Sequence, residues 1–431
     1  MIYHILIRNG GVTMLNETKE LKITGLDHSG RGIAKIDNKI IFIANVLIGE
    51  TAKVKITNVK KNYLEGELVE LIEASSTRVE PKCSYFFNCG GCDLMHMPYE
   101  EQLLYKENKV KEIMKKFANI GNEIVEPIIM ADNVYNYRNK VTFQVSEKVG
   151  FYQKKSYDII NVDYCMIIDE KINEIIVLIK ENIDLKNIKQ IIIRSSKNTN
   201  DVMIIFNIDG QIDENRIIEL LKNKTTSIIK KIDNKYILIN GNDYIIDYID
   251  ELKFIISPDS FFQVNTDQAT KLYKKVLEYA KLNGEEKLLD LYCGTGTIGL
   301  YLSQYCKEVL GIELNQYAVK DAIKNKDLNH ITNVDLKCGD VGKIINHLDF
   351  KPDVIVVDPP RSGLDTNTIS QLLNFTSKKI VYVSCDPVTL ARDLKILKEK
   401  YDITNIAPVD MFINTYHVEC VVKLVRRNLG E

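Results

Sequence analysis

The sequence predicts a multidomain α/β chain: a small β-barrel, a central α+β domain, and a C-terminal doubly wound sheet. Three observations carry this reading. Short alternating apolar segments separated by turn residues crowd residues 14–73, strand and helix patterns mix without regular order over residues 74–266, and strands alternate with helices from Asp267 to residue 431. The last pattern is that of a mostly parallel sheet covered on both faces, whose ligand sits beyond the carboxyl ends of its strands. A chain of 431 residues has room for roughly two to four such domains.

In the first part, LKITGL, GIAKI, KIIFI, TAKVKIT and LEGELVELI read as five strands, with Asp37-Asn38 suited to a hairpin turn. Five short strands in this span suggest a closed barrel of the oligonucleotide-binding type. Lys53, Lys55, Lys60 and Lys61 form a basic stripe there with Tyr63 beside it, a pattern that suits a polyanion and equally a solvated edge strand blunted by lysine. In the central part, Tyr99 to Asn119 has helical spacing, with Leu103, Val110, Ile113, Met114 and Phe117 largely on one side. KVTFQV, GFYQ, QIIIRSS, VMIIFNI and YILIN read as strands, in an order that the sequence leaves open. From Asp267, DQATKLYKKVLEYAK is an amphipathic helix, followed by strands at KLLDLYC, VLGIEL, VDLKCGD, DVIVVDPP, KIVYVSC, ITNIAPVD and HVECVVKLVR.

Composition bounds the function. With 45% hydrophobic and 27% charged residues the chain is globular rather than disordered, and a net charge of -2 rules out a global positive field, so a polyanionic partner must be met locally. No apolar run has membrane-spanning length, since the longest are broken at Asn45 or Lys180. The start, MIYHILIRNGG, lacks the charged and apolar regions of a signal peptide. Met14 is a second plausible start, and residues 1–13 carry no assigned role. Nine Cys without a secretion signal imply a reducing, cytoplasmic setting in which thiols serve metals or chemistry.

The chemistry follows the strands. Asp290-Leu-Tyr-Cys-Gly-Thr-Gly-Thr-Ile-Gly299 carries GxGxxG between a strand and a helix, and Glu313 ends the next strand, where ribose hydroxyls would be met. Dinucleotide enzymes use the same device. Asp290, placed where a sulfonium or ammonium would be welcome, and Asp340, placed for an adenine amino group, favour S-adenosylmethionine. Asp358-Pro-Pro-Arg361, Ser384-Cys385-Asp386-Pro387 and Glu419 stand at further strand ends that converge on one crevice. A lone Cys is usually a small buried hydrophobe. Cys385 departs from that because a helix begins just after it, and a helix N-terminus favours the thiolate. Methylating C5 of a pyrimidine needs a nucleophile for C6, a base for the C5 proton and a group for the base edge. Cys385, Glu419 and Asp358 suit those roles.

DLYCGTGTIGL, DPPRSGL, SCDPVTLARDL and HVECVVKLVR, with FFQVN before them, resemble the RNA 5-methyluridine methyltransferases. Residues 14–73 resemble a TRAM domain, so the likeness covers nearly the whole chain. The resemblance implies a Rossmann-like methyltransferase domain over 267–431, with Cys385 as nucleophile and Glu419 as base. It places Gln263, Tyr292, Glu313 and Asp358 around the cofactor, with Asp340 nearby. Three positions depart from the family: Thr297 stands where Asn is frequent, Asp386 where Asn is usual, and Cys420 where Thr is common. Asp386 adds a negative charge that would raise the thiol pKa.

Cys83-x5-Cys89-x2-Cys92, joined by Cys165, fits a four-thiolate metal site, either zinc or an iron–sulfur cluster. Two close pairs, usual for zinc, are absent, and the resemblance implies [4Fe-4S] of structural use. A radical S-adenosylmethionine enzyme is disfavoured, because its CxxxCxxC motif differs from this spacing. Relatives with both a TRAM domain and the cluster generally modify large-subunit ribosomal RNA, so the resemblance implies uracil-C5 methylation of 23S rRNA; a cytoplasmic monomer without a membrane partner is expected. A tRNA methyltransferase, or an RNA-binding assembly factor with vestigial catalysis, are the alternatives. Arg138, Lys140 and Arg194 are candidate phosphate contacts.

Overall fold

The computed structural model describes residues 14–427, so the N-terminal extension before Met14 lies outside the described residues. The described chain forms two compact units, residues 14–87 with Cys92–Gln102, and Asn88–Gly91 with residues 103–427.

The first unit is built on strands β1 (Thr18–Lys22), β2 (Gly25–Leu26), β3 (Gly32–Ile36), β4 (Lys39–Ile43), β5 (Thr51–Val59) and β6 (Tyr63–Glu73), in the order β1-β5-β6-β4-β3-β2. Where one strand was expected over LKITGL, the chain turns a corner. Ile23 N–H donates to the Glu50 carbonyl beside β5, while Thr24 N–H donates to the Ile33 carbonyl on β3. That corner lets one bent strand pair at both ends of the sheet and close it. Asp37 and Asn38 both take positive φ (44° and 68°), the turn that a two-residue hairpin requires. Ile41, Ile43, Val54, Ile56 and Leu64 fill the interior.

The basic stripe divides. Lys53 on β5 lies opposite Glu20 and Glu70, and Lys55 opposite Glu67. Such cross-strand pairs offset one another, and β5 is an interior strand of the sheet rather than an edge. Lys60 and Lys61 sit exposed on the β5–β6 turn beside Tyr63, whose ring is 5.6 Å from Phe42. The Arg31 guanidinium lies 4.5 Å over Phe42 and is held by Asp27.

Helix α1 (Tyr99–Ile113), whose residues from Leu103 on belong to the second unit, runs into a π-turn at Met114–Ala118 and stops at Asn119 in the left-handed conformation. The central sheet has the order β13-β12-β11-β10-β7-β8-β9, from β7 (Lys140–Val145), β8 (Val149–Tyr152), β9 (Ile159–Asn161), β10 (Ile188–Ser195), β11 (Val202–Ile208), β12 (Ser227–Ile232) and β13 (Lys235–Gly241). Helices α2 (Glu170–Asn182) and α3 (Glu214–Leu221) accompany it, and the hairpin β14 (Ile245–Ile249) and β15 (Leu252–Ile256) follows.

After α4 (Thr266–Ala280) comes the doubly wound sheet, β16 (Lys287–Leu291), β17 (Glu308–Glu313), β18 (Val334–Cys338), β19 (Val354–Val357), β20 (Lys379–Ser384), β21 (Tyr401–Val409) and β22 (Glu419–Arg426). Its order is β18-β17-β16-β19-β20-β22-β21, with β22 antiparallel to both neighbours and the rest parallel. Between these strands lie α5 (Thr297–Leu302), α6 (Gln316–Leu328), α7 (Val341–Ile344), α8 (Thr366–Asn374) and α9 (Pro387–Leu397). Strand order reverses between β16 and β19, the switch point where such sheets bind ligands. α1 contributes Val110 and Ile113, and the π-turn after it Met114, to the core under this sheet, which also holds Leu390 and Leu394 of α9.

Candidate active site

Strand ends at the switch point open into a cleft of about 660 Å³, lined by Gln263, Tyr292, Glu313, Asp340, Asp358, Cys385 and Glu419 among others. All seven residues expected around the cofactor and the reacting base therefore share one cavity.

The loop after β16 is shaped by backbone demands. Tyr292, Gly294 and Gly296 all take positive φ (63°, 55° and 79°). A Cβ at Gly294 would meet no atom within 4 Å, so open cleft lies beside that backbone. Glu313 accepts from Gly294 N–H at 3.0 Å and from Asn315 N–H at 2.7 Å, which fixes its carboxylate at the cleft wall with lone pairs to spare. Asp340 sits at the rim and accepts from Lys343 N–H.

Asp290 does a different job from the one expected of it. It is buried, accepts from Gly299 N–H at 2.9 Å, and does not line the cleft. Burial first, then Asp358, pushes its carboxyl up to about 8. Thr297, the departure in this loop, is engaged by the Tyr273 hydroxyl at 2.9 Å.

At the reacting end, Cys385 follows β20 and is half-buried, and Glu419 opens β22 and is buried. Loss of solvent raises the Cys385 thiol to about 11, with Glu419 and Asp358 adding to the shift and Arg361 opposing it. The helix N-terminus does not prevail as expected. Asp386 itself caps α9, accepting from Val388 and Thr389 N–H at 2.9 Å each. Burial, then Asp358, raises Glu419 to about 8, and burial raises Asp358 to about 7. A carboxylate so raised is a stronger base once ionised. Cys420 is fully buried, as a packed residue would be.

Six carboxylates line the cleft (Asp259, Glu313, Asp340, Asp358, Asp365 and Glu419), and among the described lining residues Arg361 is the only cation. That imbalance, with the open backbone at Gly294 and the exposed apolar Leu314 and Phe261 in the same wall, fits S-adenosylmethionine, a cation with an aromatic base and a ribose. Sequence reasoning assigned no role to Arg361, Phe261 or Phe412. Arg361 was visible in DPPR, but its place beside the thiol depends on the fold.

Two other expectations change. Arg194 is buried and donates to the Ser260 carbonyl at 3.1 Å, so it braces the turn before Phe261 rather than reaching for phosphate. Lys140 lies opposite Arg194, and burial with these cationic neighbours lowers it to about 8. Among the cysteines, Cys83 and Cys92 belong to the first unit and Cys89 and Cys165 to the second. Gly91 N–H donates to Cys89 Sγ at 3.4 Å, and Asn173 holds both backbone groups of Cys165. Among the described residues, no group of three or more His, Cys, Asp or Glu is arranged to hold a metal ion.

Among the described residues, no helix is long and apolar enough to cross a membrane. Residues 98–338 and 342–427 match the tRNA (uracil-5-)-methyltransferase family, and residues 12–69 match the TRAM domain. The chain is 40% identical to a Clostridium tetani protein named "uncharacterized RNA methyltransferase", over 94% of this chain and 96% of that one. It is 38% identical to a Staphylococcus epidermidis protein of the same name, over 96% and 98%. Among solved structures it resembles the Pyrococcus abyssi tRNA (uracil-54, C5)-methyltransferase in complex with S-adenosyl-L-homocysteine, with a TM-score of 0.79 and 27% identity over 94% of this chain and 99% of that one. An acidic cleft at the switch point, a thiol and a buried carboxylate within it, and these matches agree: the chain belongs to the tRNA (uracil-5-)-methyltransferase family of S-adenosylmethionine-dependent RNA methyltransferases.

Proposed function

We propose that this protein methylates C5 of uridine in 23S ribosomal RNA, with Cys385 as nucleophile and Glu419 as base, acting in the cytoplasm as a monomer. The observation that carries the chemistry is the shared cleft, where a thiol and two buried or half-buried carboxylates meet in one acidic cavity. When bound, S-adenosylmethionine supplies an electrophilic methyl group, and Gln263, Tyr292, Glu313, Asp340 and Asp358 would hold it. Cys385 loses its proton and adds to uracil C6, which makes C5 an enolate carbon able to take the methyl group. Glu419 then removes the C5 proton, the C6–S bond breaks, and the thiol is restored as Glu419 returns a proton. One proton is released overall. Asp358 stands close enough to Glu419 to raise its pKa, so it also suits the uracil edge.

RNA carrying 5-fluorouridine tests this, since its C5 has no proton to lose. A covalent protein–RNA adduct is expected with the native chain and none with Cys385→Ala. An adduct in the Ala variant would remove Cys385 from its role.

The ribosomal substrate rests on the family resemblance of a chain with both a TRAM domain and the four-cysteine motif. A tRNA substrate is favoured instead by the likeness to the Pyrococcus abyssi enzyme. Mapping 5-methyluridine in rRNA and tRNA after deletion of the gene separates the two. A vestigial enzyme would leave both maps unchanged. For the [4Fe-4S] cluster the sequence motif is the sole support. Anaerobically prepared protein should be brown and contain iron, and a colourless, iron-free preparation with full activity would end that proposal.

A further inference from the structure

The segment from Asp410 to Val418 joins β21 to β22 and serves the cleft twice, placing Phe412 in its wall and Glu419 directly after itself. Side chains from outside the segment donate to five of its nine carbonyls. Lys106 on α1 places Nζ 2.5 Å from Asp410 Oδ1 and 3.0 Å from the Phe412 carbonyl, with both charged side chains fully buried. One turn on, Lys109 donates to the Tyr416 carbonyl at 2.8 Å and lies 5.1 Å over the Tyr416 ring, which packs 4.2 Å from His417. The Tyr137 hydroxyl donates to Ile413 O at 2.9 Å, Asn265 to Met411 O at 3.2 Å, and Gln268 to Asp410 O at 2.9 Å.

Buried carbonyls need partners, yet neutral donors or water would satisfy them. Burying an ammonium and a carboxylate is a costly way to do so, and what a well-formed pair adds is a fixed geometry. Neither lysine lines the cleft. Their effect on chemistry must therefore pass through the segment they hold.

We propose that Lys106 and Lys109 are positioning residues for proton abstraction: they hold the 410–418 segment so that the Glu419 carboxylate and the Phe412 ring keep their places in the cleft. This rests on Glu419 as the base. Addition of Cys385, which comes from a different strand, depends less on the clamp than elimination does.

The test uses the full-length protein. Lys109→Met removes one contact, and Lys109→Arg restores a donor over the Tyr416 ring. Lys106→Met alone would strand Asp410 in the interior, so the second variant is the double Lys106→Met/Asp410→Leu, which removes both charges. Adduct formation is timed on 5-fluorouridine RNA, and product release is timed on ordinary RNA. A misplacement of about 1 Å costs up to a hundredfold, so release should slow by roughly 10- to 100-fold in Lys109→Met and in the double variant, with covalent RNA accumulating, while adduct formation keeps its rate. Lys109→Arg should recover most of the release rate. Unchanged release with only a lowered melting temperature would overturn the proposal, as would an equal loss of both steps. Glu419→Gln run alongside separates the two readings. If it accumulates covalent RNA and the lysine variants do not, the clamp fails and the base stands; if it too releases product normally, the base assignment fails.

Discussion

Glu419 and Asp358 face the same cavity with carboxyls raised to about 8 and about 7, and loss of solvent is the first cause of both shifts. In the empty cleft they ionise only as the pH rises through that range. A sulfonium is bound best when they are ionised, whereas the neutral thioether of S-adenosylhomocysteine gains little. The affinity ratio of the two ligands should thus rise several-fold between pH 6 and 8.5 by calorimetry, and a constant ratio would show that these groups do not meet the sulfonium. The stability linkage has the opposite sign. Ordinary carboxyls titrate near 4 in the unfolded chain, so a folded pKa raised to 7 or 8 leaves stability intact below about 4 and drains it as the pH climbs to the folded value. That Cys385 and Glu419 stand at strand ends facing one cleft was legible from the motifs. The protonated resting state of Cys385 was not, because it depends on how much solvent the folded walls exclude and on which carboxylates they bring near.

At the scale of elements, Asp386 illustrates a departure that serves the helix. Its carboxylate caps α9, which in turn packs on α1. Asn caps helices about as well as Asp, while Ala costs about 1 kcal/mol. Asp386→Asn should therefore leave the denaturation midpoint close to native, and Asp386→Ala should lower stability by about 1 kcal/mol; equal losses in both would mean that the charge itself stabilises the fold. Strands β16, β17, β19, β20 and β22 were legible because burial on both faces writes them as nearly continuous apolar runs, while the edge strands β18 and β21 were legible by their place in the alternation. Strand β12, SIIKKI, hides behind two lysines, and α2 and α3 went unnamed because runs of Ile read as strand or helix alike. The barrel corner at Ile23–Thr24 carries no turn residue except Gly25, so one strand was expected where the pairing makes two.

Across the whole molecule, a net charge of -2 conceals opposite local demands: an acidic cleft for a cationic donor, and RNA to be met elsewhere. On the barrel, Lys53 and Lys55 face glutamates, which leaves Lys60 and Lys61 at the turn beside Tyr63 as the better phosphate contacts. Changing both to Ala should reduce the slope of log affinity for RNA against log salt by about 1 to 2. A slope equal to that of the native chain would place the RNA elsewhere. The N-terminal barrel and the doubly wound sheet after it were legible from where periodicity changes. The docking of α1 into the core beneath the C-terminal sheet was not, because nothing in a helix's own spacing says which distant surface will cover it.

The order β20-β22-β21 carries one more consequence. The strand that brings Glu419 follows both β20 and β21 in the chain, yet it belongs between them. Until it inserts, β20 and β21 present bare edges toward each other, open to any other strand. The Glu419 carboxylate and the closure of the sheet arrive in a single event. A chain that stops short of Glu419 would lack the proposed base and also be sticky, and cells would clear it as a misfolded protein.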